Sequence, residues 1–142
     1  MSTGNGESTV KRSTGRESSF TESTQAAVAT ARGNTISDML HRTAARTPDK
    51  VAIIDGDVRL TYAEFDAAVN RCANALTARG LDRGDRLALI SHNSWQFAVL
   101  NFACARIGAI LVPINFGLGV SEIAFILDHS QASGVVVEDA LG

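Results

Sequence analysis

Two glycines and an acidic residue in the last third of the chain have a spacing suited to nucleotide binding. Gly117 and Gly119 lie between a predicted strand and a predicted helix, and Glu138 follows at about the distance of a ribose-binding acid. This arrangement matches half of the dinucleotide fingerprint G-x-G-x-x-G, whose glycines let the backbone approach a pyrophosphate. The third glycine position is Glu122, whose carboxylate would repel a phosphate from the helix N-terminus. We therefore interpret the segment as a loop with a glycine-tolerant bend.

The three histidines are candidates for acid–base chemistry or metal binding. His92 lies just past a predicted strand end, but no second histidine, cysteine or carboxylate is near it in the sequence to orient its ring. We therefore expect His92 to be solvated or to cap a helix. His129 suits the negative end of a helix dipole, and His41 is predicted on a helix surface.

Four aspartates lie in predicted turns, namely Asp55, Asp57, Asp82 and Asp85. Aspartate is common in turns, so we interpret these residues as turn-forming and not as a catalytic pair. The sequence has no phosphate loop G-x-x-x-x-G-K-[ST], no nucleophile elbow G-x-S-x-G and no H-E-x-x-H or C-x-x-C metal motif. From the residues alone we predict no catalytic, no cofactor-binding and no metal-binding residue.

Composition and the cysteines suggest a cellular setting. The net charge of −2 gives no reason to expect nucleic acid or an anionic membrane as a partner. Cys72 and Cys104 fall on the apolar sides of predicted helices and are interpreted as buried free thiols, which fit a reducing compartment. Because the N-terminus has neither a secretory signal nor the composition of a transit peptide, we expect a cytoplasmic location.

The apolar stretch at residues 97–116 is interpreted as a buried helix, a turn and a buried strand, with no transmembrane segment. It contains Asn101, Arg106, Gly108 and Pro113, which do not suit a membrane span. Residues 1–33 differ from the rest of the chain, since about half of them are Ser, Thr or Gly. We predict a disordered tail over 1–33 and a folded part over 34–142.

Hydrophobic spacing and helix-end signals predict the order of the elements. Thr61 and Glu64 form a capping box, and Asp66, Asn70 and Arg71 are predicted to face away from the apolar side of the helix that follows. The predicted elements are a helix from 36 that ends at Pro48, strands 51–54 and 58–60, a helix from 61 to 79, strand 86–90, helix 95–107, strand 109–113, helix 120–127 and strand 135–137.

The predicted fold class is α/β: a parallel β-α-β-α-β unit preceded by a helix and a β-hairpin. In open parallel sheets, ligands bind beyond the carboxyl ends of the strands. In this chain the segments 91–94, 115–117 and 138–139 are predicted at that edge.

Several short motifs occur together and in order: TPDKVAI at 47–53, LTYAEF at 60–65, L-x-x-x-G-L at 76–81, GDRLAL at 84–89 and GAILVPIN at 108–115. Their order and spacing resemble the early part of the adenylate-forming, AMP-binding enzymes, and they are most similar to fatty-acyl-CoA synthetases. Two departures follow the last motif. Gly117 replaces the family's arginine, and the family's T-P-x-E helix start is GVSE at 119–122, where we expect Ser121 to act as the cap.

The resemblance implies part of the N-terminal subdomain of an ATP-dependent acyl-CoA ligase. The intact enzyme would use Mg-ATP to turn a small carboxylic acid, expected to be a fatty acid, into an acyl-adenylate, and would then pass the acyl group to CoA. The family's Ser/Thr/Gly-rich phosphate loop, its adenine- and ribose-binding motifs and its C-terminal lysine domain are not found in this sequence. We therefore expect an N-terminal fragment that is inactive by itself and holds no cofactor.

Two other functions remain open at the sequence level. A non-catalytic α/β binding or interaction module would associate through uncovered apolar surface. Its supporting observation is the helix predicted at 95–107, which is apolar on more sides than one sheet face can cover. A small Rossmann-like nucleotide-binding protein is the weaker alternative.

Overall fold

The computed structural model describes residues 24, 25, 27, 28 and 35–139. The four described residues before 35 are helical, and the rest of the predicted disordered tail lies outside the described residues. The following elements belong to the unit Asn34–Gly142: α1 Ile36–Arg46, β1 Val51–Asp55, β2 Val58–Thr61, α2 Tyr62–Ala78, β3 Arg86–Ile90, α3 Trp95–Ile107, β4 Ile110–Ile114, α4 Val120–Ser130 and β5 Gly134–Val137.

The predicted α/β class is confirmed. β3, β4 and β5 form a parallel sheet in the order β4-β3-β5, and β1 and β2 form an antiparallel hairpin. The alternating strands and helices of the second half produce this parallel arrangement, because each helix carries the chain back to the start of the next strand. Consequently the carboxyl ends of all three parallel strands lie at one edge.

Helix α3 lies between the two hydrophobic clusters of the described fold. On one side, Val99 and Ala103 pack with buried residues of α1 and α2. On the other side, Leu100 and Cys104 pack with buried leucines of β3. This explains why α3 is apolar on most sides, and it removes the observation that supported the interaction module. Most of the apolar surface of α3 is covered within the fold, and the exposed residues of this helix are Gln96 and Asn101.

The helix α2 prediction was wrong at one residue. Asp66 does not face solvent but is buried, and its Oδ1 lies 2.7 Å from Nη2 of Arg106 on α3. The same guanidinium donates from Nε to Ser37 Oγ on α1 at 2.6 Å and from Nη1 to Asn70 Oδ1 on α2. His41 on α1, which is exposed as predicted, lies with Nδ1 3.3 Å from Asp66 Oδ2. One polar cluster therefore joins three helices.

The start of α2 follows the predicted capping chemistry, and α3 has a capping residue at each end. The Thr61 side chain accepts from Glu64 N at 3.3 Å, and the Glu64 carboxylate accepts from Thr61 N at 2.8 Å. Ser94 is the N-cap of α3, and Gly108 ends that helix with φ of 78°. A side chain at Gly108 would be strained by this left-handed backbone and would also meet Arg83, whose Cγ is 2.9 Å from an ideal Cβ position.

The last strand and helix boundaries differ from the prediction. β4 is shifted by one residue, to Ile110–Ile114, so Pro113 is the penultimate residue of a strand at one edge of the three-stranded sheet. Such a position tolerates a residue without an amide hydrogen. Helix α4 continues through Ser130 and ends where Gln131 adopts φ of 51°. Its N-cap is Gly119, so the expectation that Ser121 caps the helix was wrong.

The cluster around Arg106 gives a stability prediction. Arg106→Met leaves the buried Asp66 carboxylate without its cationic partner, and we expect the free energy of unfolding to fall by about 3 kcal/mol. Urea denaturation followed by circular dichroism measures the change. The control is Arg59→Met, because Arg59 is exposed on β2 and its replacement should change stability by less than about 0.5 kcal/mol. Equal effects of the two changes would contradict the structural role of the cluster.

Candidate functional site

The candidate site is the carboxyl edge of the parallel sheet, where three loops begin. β3 is the central strand, so the loop after it lies beside both the loop after β4 and the residues after β5. The segments predicted to meet there are brought together by contacts among His92, Phe116 and Glu138.

His92 connects the three loops. Its Nδ1 lies 3.0 Å from Glu138 Oε2, and its backbone amide donates to the same oxygen at 2.8 Å. Its ring lies against Phe116, with ring centroids 3.9 Å apart and an angle of 39° between the planes. No carboxylate near His92 in the sequence orients its ring, but Glu138, 46 residues later, does so in the fold. The prediction that His92 has no orienting carboxylate was therefore wrong.

This geometry determines which nitrogen of the neutral His92 ring accepts hydrogen bonds. Because the Glu138 carboxylate is an acceptor, Nδ1 carries the proton and Nε2 keeps its lone pair. The two hydrogen bonds from His92, the backbone one first, lower the pKa of Glu138 and keep it ionised. An imidazole that is held by a carboxylate in this way can accept a proton or a hydrogen bond from a ligand. The His92 side chain is 48% exposed, however, so it does not lie in an enclosed binding site. In the described part of the chain its evident role is to hold the loops together.

The glycine loop after β4 is not arranged to bind phosphate. The chain turns at residues 116–118, but neither Gly117 nor Gly119 has a positive φ, so this turn does not depend on the conformational freedom of glycine. The Asn115 side chain accepts from Gly117 N at 2.9 Å, and the Glu122 carboxylate accepts from Gly119 N at 2.9 Å. A carboxylate thus already occupies the N-terminus of α4, where a nucleotide phosphate would bind. The residues present do not fit ATP at this position.

Among the predicted turn acids, Asp55 also has a role outside its turn. Its Oδ2 accepts from the amide of Trp95 at 2.9 Å, so the hairpin is fixed to the start of α3. Asp85 closes its own turn by accepting from Asp82 N at 2.7 Å. His129, in the last turn of α4 as expected, stacks on Phe125 with ring centroids 5.5 Å apart.

Over residues 35–139 and the four helical residues before them, no group of three or more His, Cys, Asp or Glu side chains is placed to hold a metal ion. Within the same described residues, no helix has the length and hydropathy needed to cross a membrane. The segment 97–116 contains most of α3, a turn and β4, in the predicted order. The expectation that its strand is buried was wrong, because Ile110 is 53% exposed and Pro113 is exposed at the edge of the sheet.

Both cysteines are free thiols. Cys104 is buried between α3 and the sheet, and loss of solvent contact raises its pKa to about 11. Burial also raises the pKa of Cys72. Raised pKa values mean few thiolates near neutral pH, so neither cysteine has the properties of a nucleophile.

The family of this α/β fold follows from its similarity to known proteins. The model of the AMP-binding enzyme family matches residues 40–141, which include every strand and nearly every helix described above. The chain belongs to the AMP-binding enzyme family. The resemblance seen in the short motifs is thereby confirmed.

The relatives of this AMP-binding chain include ligases for different acids. It is 43% identical over 100 residues to the long-chain-fatty-acid–CoA ligase FadD13 of Mycobacterium tuberculosis, covering 69% of this chain and 20% of that protein. It is 41% identical over 95 residues to a feruloyl-CoA synthase of Amycolatopsis, covering 67% of this chain and 19% of that protein. The chain thus spans about a fifth of the length of these curated relatives.

The solved structures give the same assignment. The inhibitor-bound N-terminal domain of FACL13 from Mycobacterium tuberculosis superposes on this AMP-binding chain with a TM-score of 0.71 and 42% sequence identity. The match covers 72% of this chain and 26% of that domain. The predicted assignment to an N-terminal subdomain of an adenylate-forming enzyme is therefore confirmed.

The pair between His92 and Glu138 predicts a pH dependence of stability. Glu138 has a folded-state pKa below its ordinary 4.5, so its contribution is present above that pH and is lost as the pH falls through the lowered value. Glu138→Gln removes this contribution. We expect the difference in free energy of unfolding between wild type and variant to be largest near pH 7 and to shrink below pH 4.5.

Urea titrations of both proteins at a series of pH values measure this difference. His92→Phe is the companion variant, because it keeps an aromatic ring beside Phe116 and the backbone donor but removes the ring donor to Glu138. In that background the pH-dependent difference should be smaller but still present. A difference that stays constant with pH would disprove the link.

The raised cysteine pKa values predict slow thiol chemistry in the folded protein. At pH 8, a thiol of pKa about 11 is ionised in only about one molecule in a thousand. We expect Ellman's reagent to modify Cys104 slowly in the native chain and quickly in guanidinium chloride. Cys72→Ser isolates the Cys104 signal, and rapid modification of that native variant would contradict the burial described here.

Proposed function

We propose that this chain is a structural part of an ATP-dependent acid–thiol ligase that activates a carboxylic acid and transfers it to CoA. The observation that carries the proposal is the 43% identity over 100 residues to a long-chain-fatty-acid–CoA ligase. In the reaction, the acid's carboxylate displaces pyrophosphate from ATP and forms an acyl-adenylate. The thiol of CoA then displaces AMP, which gives the acyl thioester and releases a proton.

The described residues contribute support to this chemistry and do not carry it out. The N-terminus of α4 is occupied by Glu122, and the cysteines are buried or half-buried with raised pKa values. ATP, Mg²⁺ and CoA are therefore expected to bind residues of the intact enzyme other than these. The role proposed for this part is to hold the N-terminal subdomain in shape through α3 and through the loops joined by His92.

The substrate is proposed to be a fatty acid. The support is the identity to FadD13, which is described as acting on long-chain fatty acids. A feruloyl-CoA synthase of nearly equal identity shows that this region is compatible with an aromatic acid in a relative. The enzyme is proposed to work in the cytoplasm, for which the free thiols are the supporting observation.

A second candidate is a non-catalytic interaction module. The specific observation that favours it is apolar surface on the sheet, in the loop after β4 and on α4, not on α3. Large apolar side chains are more than 40% exposed at several positions, namely Ile110, Phe116, Val120, Phe125, Val135 and Val137. Surface of this kind associates with partners when it is contiguous.

Ligase assays separate the two functions. The 142-residue chain alone is expected to catalyse no ATP–pyrophosphate exchange with palmitate. A chimera in which this chain replaces the matching segment of FadD13 is expected to form palmitoyl-CoA at a rate within about tenfold of that of FadD13, because the exchanged part positions the fold and not the reacting atoms.

The control for the chimera is Val69→Asp, which places a charge at a fully buried position of α2 and should abolish activity by unfolding this part. A chimera that folds, as judged by its thermal transition, but forms no acyl-CoA with palmitate, ferulate or 4-hydroxybutyrate would contradict the ligase proposal. It would leave the interaction module as the better explanation.

A further inference from the structure

An open apolar groove lies between α1 and β1, over the helices α2 and α3, and has a volume of about 380 Å³. Its floor includes Phe65 of α2 and Phe102 of α3, whose rings meet edge to face with centroids 5.2 Å apart. On the α1 side the lining residues are open to solvent, since Ile36 is 58% exposed and Met39 is 63% exposed. Pockets for small molecules typically have volumes of about 300–1,000 Å³, so the groove is large enough for a small apolar ligand.

The groove is cationic at the end where α1 leads into β1. Arg46 is exposed and lies on the same face of α1 as the lining residue Met39, two helical turns later. Lys50 is exposed directly before β1, and its carbonyl accepts from the amide of the lining residue Tyr62 at 2.9 Å. Among the residues that the structure describes, neither Arg46 nor Lys50 forms a salt bridge. Two cations against one acid, Asp49, leave this end of the groove positive.

The other end of the groove, at the start of α1, is apolar. Ile36 lines it, and the nearby carboxylate of Asp38 is occupied by the amide of Thr35, which donates to Oδ2 at 2.8 Å. From Ile36 to Arg46 the helix rises about 15 Å, at about 1.5 Å per residue. An extended alkyl chain of about twelve carbons has this length, with bonds of about 1.5 Å at tetrahedral angles. The groove therefore has the length and the polarity of an alkyl carboxylate.

The larger cleft between α3 and the sheet is less suited to an anionic ligand. Its volume is about 700 Å³, and its lining includes Arg71 together with Glu138 and Asp139. Two acids against one cation make this lining negative, so it repels a carboxylate. An alkyl carboxylate is therefore expected along α1 and not in this cleft.

We propose that the groove along α1 binds one alkyl carboxylate of about twelve carbons. The alkyl chain lies against Ile36 and Met39, where burial of its methylenes supplies the affinity. Arg46 and Lys50 hold the carboxylate through charge-assisted hydrogen bonds. The inference goes beyond the proposed function and does not depend on it, because no groove residue has been given a part in the ligase reaction. Through this groove the chain holds a fatty acid without activating it.

Isothermal titration calorimetry of the 142-residue chain with dodecanoate, kept below its micelle concentration, tests the proposal. We expect one ligand per chain and an affinity that falls by about two- to fourfold for each methylene removed from the ligand. Dodecyltrimethylammonium has the same alkyl chain and a positive head group, so it should bind at least about tenfold more weakly. Equal affinities for the two amphiphiles would overturn the proposal, and so would the absence of saturable binding.

Charge reversals locate the bound carboxylate. Arg46→Glu combined with Lys50→Glu should weaken dodecanoate binding by at least about tenfold, because attraction at the end of the groove becomes repulsion. Arg71→Glu is the matched reversal at the larger cleft, and it should leave the affinity unchanged. The opposite pattern would put the ligand in that cleft and contradict the proposed site. Binding of the chain to phosphatidylglycerol vesicles without binding of monomeric dodecanoate would also overturn it, because the occupant would then be a membrane surface.

A second pair of variants tests the apolar part of the groove. Met39→Glu places a carboxylate beside the alkyl chain and should remove detectable binding of dodecanoate. Val120→Glu makes the same kind of change at a residue that is 86% exposed on α4, and it should leave binding unchanged. Both positions are exposed, so both variants should keep the thermal transition of the wild type. Equal weakening by the two substitutions would indicate general association with apolar surface and would overturn the proposal.

Discussion

Helix α3 must satisfy two surfaces at once, and the rest of the fold follows from that constraint. Val99 and Ala103 face the helices, while Leu100 and Cys104 face the sheet. A single helix therefore joins both hydrophobic clusters. Its polar contacts complete the connection, since the Trp95 amide is held by the hairpin and the Arg106 side chain is held by α1 and α2. Disturbing α3 would loosen both halves together.

The local pattern of the sequence was enough to predict most of the fold. The capping box of Thr61 and Glu64 and the hydrophobic spacing predicted the helices and strands, because each of these signals acts over a few neighbouring residues. The burial of Asp66 was missed for the opposite reason. Its partner Arg106 is 40 positions away, and a carboxylate beside Asn70 on a helix normally indicates a solvated face.

The contact between His92 and Glu138 was missed because it depends on sheet order. Both residues were predicted at the carboxyl edge, but only the order β4-β3-β5 places the strand before His92 next to the strand before Glu138. Hydrophobic pattern predicts which residues form a strand and not which strand is its neighbour. The lack of a phosphate site at the start of α4, in contrast, could be predicted from the sequence. Glu122 argued against phosphate binding, and the structure places its carboxylate on the amide of Gly119.

Pro113 has a consequence for how copies of this chain behave at high concentration. Fibres built by sheet extension need two adhesive edges on every copy, one for the neighbour on each side. In the three-stranded sheet, β4 carries a proline at one edge, and among residues 35–139 no strand pairs with the outer side of β5 at the other edge. A proline weakens sheet extension at the β4 edge, so association of copies through this sheet is expected to favour pairs joined at β5 over a growing polymer.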